Sequence, residues 1–465
     1  MLEAFSNMNK QVNAVLWGPI MQAVFLGVGL YFSISCGWLP ITKWKVWLKY
    51  TLLSCFSKEE GKKEEHSISQ FQSICTTLAA TIGTGNIVGV ATALTFGGPG
   101  AIFWMWLSSI LGMMTTYGEN VLGIKYRYKD KNGAFIGGPM AYMEKGIKKK
   151  WMAIVFAGCC VFSSLGMGNM AQANSVASAI SSTFSFSPKI IGIILSGIVG
   201  MIMIGGIKRI GKVAEMVVPF MAGIFFLGSF AVLIKRAEYI PSAFCDIVVM
   251  AVNPKASIAG VLSYTVMVSM RLGIARGIFT NEAGLGSSVV INSNSAVKEP
   301  VIQGMWGIFA VFADTIVMCT ITALVILVSG VYDIDVYNAA LHTPIFEQLP
   351  NGVVLTSAAF SSVLGSYGQY FVTISMLFFG FATLLAWAYC GEQCVKYMFG
   401  EKAIGVYQFI FLICIFLGCM LRLDIVWELC DTFNGLMAIP NLIAIVLLGK
   451  EVKEETKKFF QKQGK

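Results

Sequence analysis

The chain has 465 residues, 56% of them hydrophobic and 13% charged, with a mean hydropathy of +0.71 and a formal charge of +9. Soluble domains carry about 25% charged residues, so the composition excludes a soluble globular class and reads as a polytopic protein of the lipid bilayer. The positive balance does not indicate a nucleic-acid partner, because the lysines lie between apolar runs rather than on one face with interleaved aromatics.

Apolar runs long enough to span, roughly 20 residues each, fall at 14–36, 71–97, 101–123, 152–181, 190–206, 213–234, 256–290, 301–330, 355–390, 404–421 and 425–448. They predict an all-α integral membrane protein of about eleven transmembrane helices. Only Lys10 precedes the first run and no small-residue cleavage site follows it, so it reads as a retained helix rather than a signal peptide. Counting Lys and Arg in alternate connections places 26 on one side and 6 on the other. By the positive-inside rule the N-terminus is expected outside and the C-terminus in the cytoplasm.

The connection 43–66 mixes aromatics with lysines and reads as a solvated interfacial connector. The second run carries the sharpest anomaly, Ala79 to Gly100, AATIGTGNIVGVATALTFGGPG. Gly83, Gly85 and Asn86 sit mid-membrane, where each glycine costs roughly 1 kcal/mol relative to alanine. A freed backbone group facing lipid would cost several kcal/mol more, so protein, water or a ligand must satisfy the break. Gly85 and Gly89 also match a GxxxG packing pattern, but Thr84 and Asn86 put polar side chains beside the weakened backbone. Discontinuous midplane helices are where secondary transporters build solute and cation sites.

Gly97-Gly98-Pro99 and Gly137-Gly138-Pro139 punctuate turns, and Glu119 reads as a residue near the inner end of its helix. The fourth run holds Asn169, Gln172 and Asn174 as interhelical glue, with Gln172 also a candidate solute contact. The seventh run is the second anomaly, with Arg271, Arg276, Asn281 and Glu282 at membrane depth among Gly273, Gly277, Gly284 and Gly286. Each ionisable group at mid-bilayer costs about 2.5–3.5 kcal/mol, so these must face a cavity, a partner or an interface. The two anomalies are five helices apart. They predict a 5+5 inverted repeat, 67–235 and 256–448, each half with one broken helix, plus an extra N-terminal helix at 14–36 and a cytoplasmic tail at 449–465. Asp314, a lone acid in the eighth run, is expected to pair with Arg271 or Arg276 in preference to relaying protons. Thr373, Ser375 and Thr383 in the ninth offer hydroxyls, most of which bond their own helix.

Twelve cysteines lie mostly in apolar runs and imply no disulfide framework. Cys390 and Cys394 are one helical turn apart, but the two histidines, His66 and His342, fall in other loops, so no resident metal or cofactor is expected.

Five ordered blocks, TIGTGNIVGVATALTFGGPGAIFWMW, GGPMAYMEKG, NMAQANSVA, RGIFTNEAGLGSS and VFADTIVMCTITALVILVSG, resemble the bacterial alanine or glycine:cation symporters, which adopt the leucine-transporter type of fold. The resemblance covers nearly the whole chain. It implies sodium-coupled uptake of a small neutral amino acid, alanine or glycine. The solute carboxylate would meet backbone near Thr84 and Gly85, with Gln172, Phe279, Thr280 and Asn281 completing the pocket. A cation would lie close to Asn86, and a second would use carbonyls near Ala79 and Ile82 with the Thr383 hydroxyl. Two positions depart from the family pattern: Ala382 precedes Thr383 where two adjacent hydroxyls are common, and Ala141 replaces an aromatic.

Met167 and Phe279 would enforce small solute size. A proton-coupled carrier using Asp314 or Glu282 is the competing mechanism. No repeated carbonyl-ring or acidic-ring motif points to a channel, and no Gly-x-Ser-x-Gly, His-Glu-x-x-His or P-loop pattern points to an enzyme.

Overall fold

A capping box at Ser69 opens the helix around which the bundle is built. The Ser69 hydroxyl accepts from the Gln72 N–H at 3.1 Å while the Gln72 side chain accepts from the Ser69 N–H at 3.2 Å, satisfying donors a helix start leaves over. The computed structural model describes residues 2–56, 68–130, 133, 135–252, 266–340, 343–421 and 424–463. His66, His342 and the first ten residues of the predicted seventh run lie outside the described residues.

The principal helices follow in chain order: α1 Leu2–Leu16, α2 Pro19–Ser35, α3 Gln70–Thr81, α4 Val90–Gly97, α5 Gly100–Tyr126, α6 Lys150–Leu165, α7 Ala171–Phe184, α8 Pro188–Met203, α9 Gly206–Lys235 and α10 Ile240–Val252. They continue as α11 Val266–Asn281, α12 Ser287–Asn292, α13 Pro300–Val311, α14 Thr320–Val328, α15 Gly352–Leu364, α16 Tyr367–Phe399, α17 Ile404–Met420, α18 Asp424–Leu447 and α19 Gly449–Gln463. A two-residue hairpin, Tyr128–Lys129 against Phe135–Ile136, caps one end. By length and apolarity six described helices can cross a membrane, or up to eight if each bent pair is one span.

The predicted break is present. The chain turns by 47° between α3 and the segment from Gly85 to Gly97, and Gly85–Gly89 winds as a π-helical turn before α4 begins. The Gly85/Gly89 pattern is therefore not a packing stripe. A Cβ on Gly89 would meet nothing within 4 Å, and one on Gly85 would meet the Thr280 methyl at 3.3 Å. Gly273 and Gly277 do pack closely: added Cβ atoms would stand 2.2 Å from the Ala101 carbonyl and 2.5 Å from the Ser108 hydroxyl. Close backbone approach thus seats α11 on α5.

The second break lies at 282–286, where Glu282 (φ 56°), Gly284 (φ 87°) and Gly286 (φ 80°) all take left-handed backbone. Glycine adopts that region without a Cβ penalty, which is why the NEAGLG stretch separates α11 from α12. The predicted ninth run, 355–390, is corrected: it is two helices, α15 and α16, parted at Gly365 (φ 62°). α15 lies over the first break, its Thr356 hydroxyl donating to the Ile87 carbonyl at 3.2 Å.

One end of the bundle is tied by polar contacts beside a cavity of about 250 Å³ lined by Phe135, Asn294 and Lys396. Ile68 pairs with Ser295 as a parallel bridge, and the Arg127 guanidinium donates to the carbonyls of Ser293, Ser295 and Val297 at 2.9, 2.5 and 2.6 Å. Gln72 donates to Glu215 at 2.8 Å, and Lys396 pairs with Asp130 at 2.6 Å. This is the end predicted to face the cytoplasm. At the other end a cavity of about 310 Å³ opens between α1, α11 and α18.

Candidate substrate and cation site

The site grows from the α3–α4 break. Asn86 holds the break from within, its Oδ1 accepting from the Gly83 N–H at 3.0 Å. Its Nδ2 donates to Asp314 Oδ1 at 2.7 Å, and the other Asp314 oxygen accepts from Thr315 Oγ1 at 2.8 Å. Asp314 is completely buried. Its carboxylate therefore bonds to an amide and a hydroxyl, not to Arg271 or Arg276 as expected, because the π-helical turn Phe312–Cys319 aims it at the break.

Gln172 comes from across the bundle to the same backbone. Its Oε1 accepts from Thr84 Oγ1 at 2.9 Å and from the Thr84 N–H at 3.4 Å, while its Nε2 donates to the Met167 carbonyl at 3.2 Å. Asn169 and Asn174 behave as glue, donating to the carbonyls of Phe411 and Gly418. A π-helical turn, Gly166–Met170, precedes Gln172. Such turns recur at working sites because they rotate the helix face that follows.

From α11, Phe279 and Thr280 stand against Gly85, 3.8 Å and 3.3 Å from where its Cβ would be. Asn281 lies one residue further, where its Nδ2 donates to Thr315 Oγ1 at 3.1 Å and its Oδ1 accepts from the Ala283 N–H at 3.0 Å. It thus shapes the second break and joins the Asp314 cluster.

On the far side of α3, Thr383 Oγ1 donates to the Ala79 carbonyl at 2.9 Å and to Phe379 of its own helix at 3.0 Å. It also stands 2.7 Å from the place a Gly83 Cβ would take, so this glycine is required by the approach of α16. Ile82 ends α3 beside it and is buried. Among the described residues Ser375 bonds only its own helix, to Phe371, and Thr373 meets Thr183 and Ala179 away from the break.

Three residues of the site escaped the sequence reading. Trp387 donates through its indole N–H to Glu282 Oε1 at 3.0 Å; it lies one turn beyond Thr383, and that spacing marks the same helix face. Thr315 bridges Asp314 and Asn281. Asn434 donates to Met167 Sδ at 3.1 Å from an otherwise apolar stretch of α18. Glu119, expected near an interface, is fully buried and accepts from Asn441, which also donates to the Gly284 carbonyl at 2.9 Å.

The donor set is oxygen-rich and neutral or anionic, with carbonyls, hydroxyls, amides and the Asp314 carboxylate. Hard cations take such ligands. Among the described residues no group of three or more His, Cys, Asp and Glu is placed to hold a metal ion.

The family model described as the sodium:alanine symporter family matches residues 2–465. The sodium/alanine symporter AgcS of Methanococcus maripaludis is 41% identical over 98% of this chain and 97% of its own length. The probable sodium/glutamine symporter GlnT of Bacillus subtilis is 37% identical over 95% of this chain and 87% of its own. The putative sodium/proton-dependent alanine carrier YrbD of the same organism is 34% identical over 94% and 89%. The chain belongs to the sodium:alanine symporter family, and is a membrane carrier that moves an amino acid with a cation rather than an enzyme.

Proposed function

We propose that the chain takes up a small neutral amino acid, alanine or glycine, together with sodium by alternating access between two inverted five-helix halves. Its N-terminus would be outside and its C-terminus in the cytoplasm. The observation that carries the reading is the convergence of Gln172, Phe279, Thr280 and Asn86 on one broken helix. A zwitterion suits such a break, since the N-terminal end of a half-helix favours a carboxylate and carbonyl ends favour an ammonium. Thr84, Gly85 and Gln172 would hold the solute, with Phe279 and Met167 limiting its size.

One sodium would use Asn86 with the Asp314 carboxylate and the Thr280 and Thr315 hydroxyls around it. A second would use the Ala79 and Ile82 carbonyls with Thr383 Oγ1, already within hydrogen-bond reach of Ala79. A proton-coupled mechanism is favoured by one observation: Asp314 and Glu282 are buried carboxyls whose hydrogen-bond donors are uncharged side chains.

The deciding experiment is labelled alanine uptake into proteoliposomes with sodium, lithium or only a proton gradient imposed. Accumulation that requires sodium supports the reading. Equal accumulation on a proton gradient without sodium transfers the coupling to Asp314 or Glu282.

A further inference from the structure

Two segments far apart in the chain meet on one face of the bundle. The connector after α2 forms a short helix, Trp44–Tyr50, and it lies against the end of α19. Lys43 Nζ stands 5.7 Å from the centroid of the Phe460 ring, the Tyr50 and Phe459 rings meet edge to face at 5.7 Å, and Gln463 donates to the Tyr50 hydroxyl. Buried Trp47 anchors the connector, its indole N–H donating to the Pro40 carbonyl at 3.0 Å. Val452, Thr456 and Phe459, at helical spacing, turn one face of α19 into the protein.

The outward face of this pair is cationic. Lys450, Lys453 and Lys457 form one exposed stripe of α19, and Lys43, Lys45 and Lys49 are exposed on the connector. Phe460, seven residues from Lys453, shares its flank of the helix, so the ring that Lys43 covers joins the two sets of lysines. None of the six has an ion-pair partner among the described residues. Glu451 and Glu455 are taken by Lys125, which leaves Glu454 as the exposed carboxylate of α19.

A basic face that meets only water has no use for large apolar side chains, yet these lysines are set among them. Ile41, Trp44 and Leu53 are 59%, 52% and 58% exposed, and Lys45 Nζ lies 5.5 Å from the Trp44 ring centroid. Lysine stems cover apolar surface while their heads stay at the polar boundary, and aromatics occupy the same headgroup layer. α18 sets the depth. Ile443, Val446 and Leu447 expose apolar surface up to its end, the chain bends there by 57°, and Lys450 follows. At a rise of 1.5 Å per residue the first lysine of the stripe is only about 5 Å beyond the last exposed apolar side chain of the span.

We propose that the connector helix and α19 together form a binding surface for anionic phospholipid, whose phosphates lie against the six lysines and whose acyl chains lie against Ile41, Trp44 and Leu53. A headgroup of net negative charge neutralises the cluster, whereas a choline headgroup brings a second cation into it. Attraction of this kind grows with each lysine and is screened by salt. Bound lipid holds α19 on α5, where the Thr456 and Tyr117 hydroxyls meet at 2.7 Å.

The test places the full chain in nanodiscs of phosphatidylcholine, alone or with about one-fifth phosphatidylglycerol, and follows hydrogen exchange of residues 39–50 and 449–463. Phosphatidylglycerol should slow exchange of both segments about fivefold, and added choline chloride should reverse the slowing. With Lys45→Gln, Lys49→Gln, Lys453→Gln and Lys457→Gln combined, the response should fall below about twofold, while arginine at the same four positions should respond as the wild type does. Wild-type exchange that ignores phosphatidylglycerol overturns the proposal, as does a glutamine variant that keeps the full response. Inorganic phosphate that slows exchange equally in phosphatidylcholine alone overturns it in favour of a soluble anion. If the glutamine variant does not insert, mass spectrometry of the lipid retained by the wild type decides: several-fold enrichment of phosphatidylglycerol over the mixture supports the surface, and retention at the ratio of the mixture overturns it.

Discussion

At the scale of single residues the break is held by a few side chains whose removal separates their roles. Asn86 satisfies the Gly83 N–H and feeds a hydrogen bond to Asp314. Asn86→Ala should raise the sodium concentration for half-maximal uptake about tenfold or more, an amide-to-carboxylate bond being worth about 1.5–3 kcal/mol; sodium titration of uptake measures it, and an unmoved midpoint removes Asn86 from the cation site. Gln172→Ala leaves Thr84 without its acceptor. It should raise the half-saturating alanine concentration about tenfold while insertion is unchanged, as read by uptake against membrane abundance. Thr383→Ala keeps the close approach to Gly83 possible but deletes the hydroxyl at Ala79. The sodium midpoint should rise several-fold with little change in alanine affinity, and an unaltered midpoint would place the second cation elsewhere.

At the scale of elements, the helices that flank the site are seldom regular where they touch it. The π-helical turns at Gly85–Gly89, Gly166–Met170 and Phe312–Cys319 each rotate the face that presents Asn86, Gln172 or Asp314. The end predicted to face the cytoplasm has its own device in α19. Lys125 pairs with Glu451 at 2.9 Å and Glu455 at 3.1 Å, Tyr126 donates to Glu451, and the Tyr117 hydroxyl meets Thr456. Burial opposes ionisation of Glu451 and Glu455, but bonds and charge from Lys125, with the Tyr126 hydroxyl at Glu451, outweigh it and hold both carboxyls below their ordinary value. A depressed carboxyl stabilises the docked helix fully above the ordinary value, about 4.3, and loses that contribution as pH falls through the depressed one. Partly exposed pairs of this kind contribute about 0–1 kcal/mol each. Hydrogen exchange of α19 should therefore be unchanged from pH 7 to 5 and lose protection by up to several-fold below about pH 4. Equal protection at both extremes would leave the docking to buried Phe459.

At the scale of the whole molecule, one end is tied by Arg127, the Ile68–Ser295 bridge and Lys396–Asp130 beside a cavity of about 250 Å³, and the other carries a cavity of about 310 Å³. If net positive charge moves inward with the solute, each charge crossing about 100 mV supplies roughly 2.3 kcal/mol, or about fiftyfold in accumulation. Imposing a potential negative inside the proteoliposome with potassium and valinomycin should raise sodium-driven alanine accumulation by about that factor. Accumulation indifferent to potential would mean that the cation charge is compensated.

Much of this was legible from residue types alone. Helix placement follows from the length of apolar runs, because lipid demands that backbone groups be satisfied within each span. The α3–α4 break was visible because Gly83, Gly85 and Asn86 are poor helix formers at a depth where weakness is costly, and Gln172 because an amide in an apolar run must find a partner. Tertiary structure alone decided which partner each polar group chose. Asp314 had two arginines to prefer by charge, yet a π-helical turn carries it to Asn86 and Thr315. Gly365 ended a helix inside what read as one apolar run because a left-handed turn lets α15 fold back over the break. Local composition states which groups must be satisfied; only packing across the bundle determines by whom.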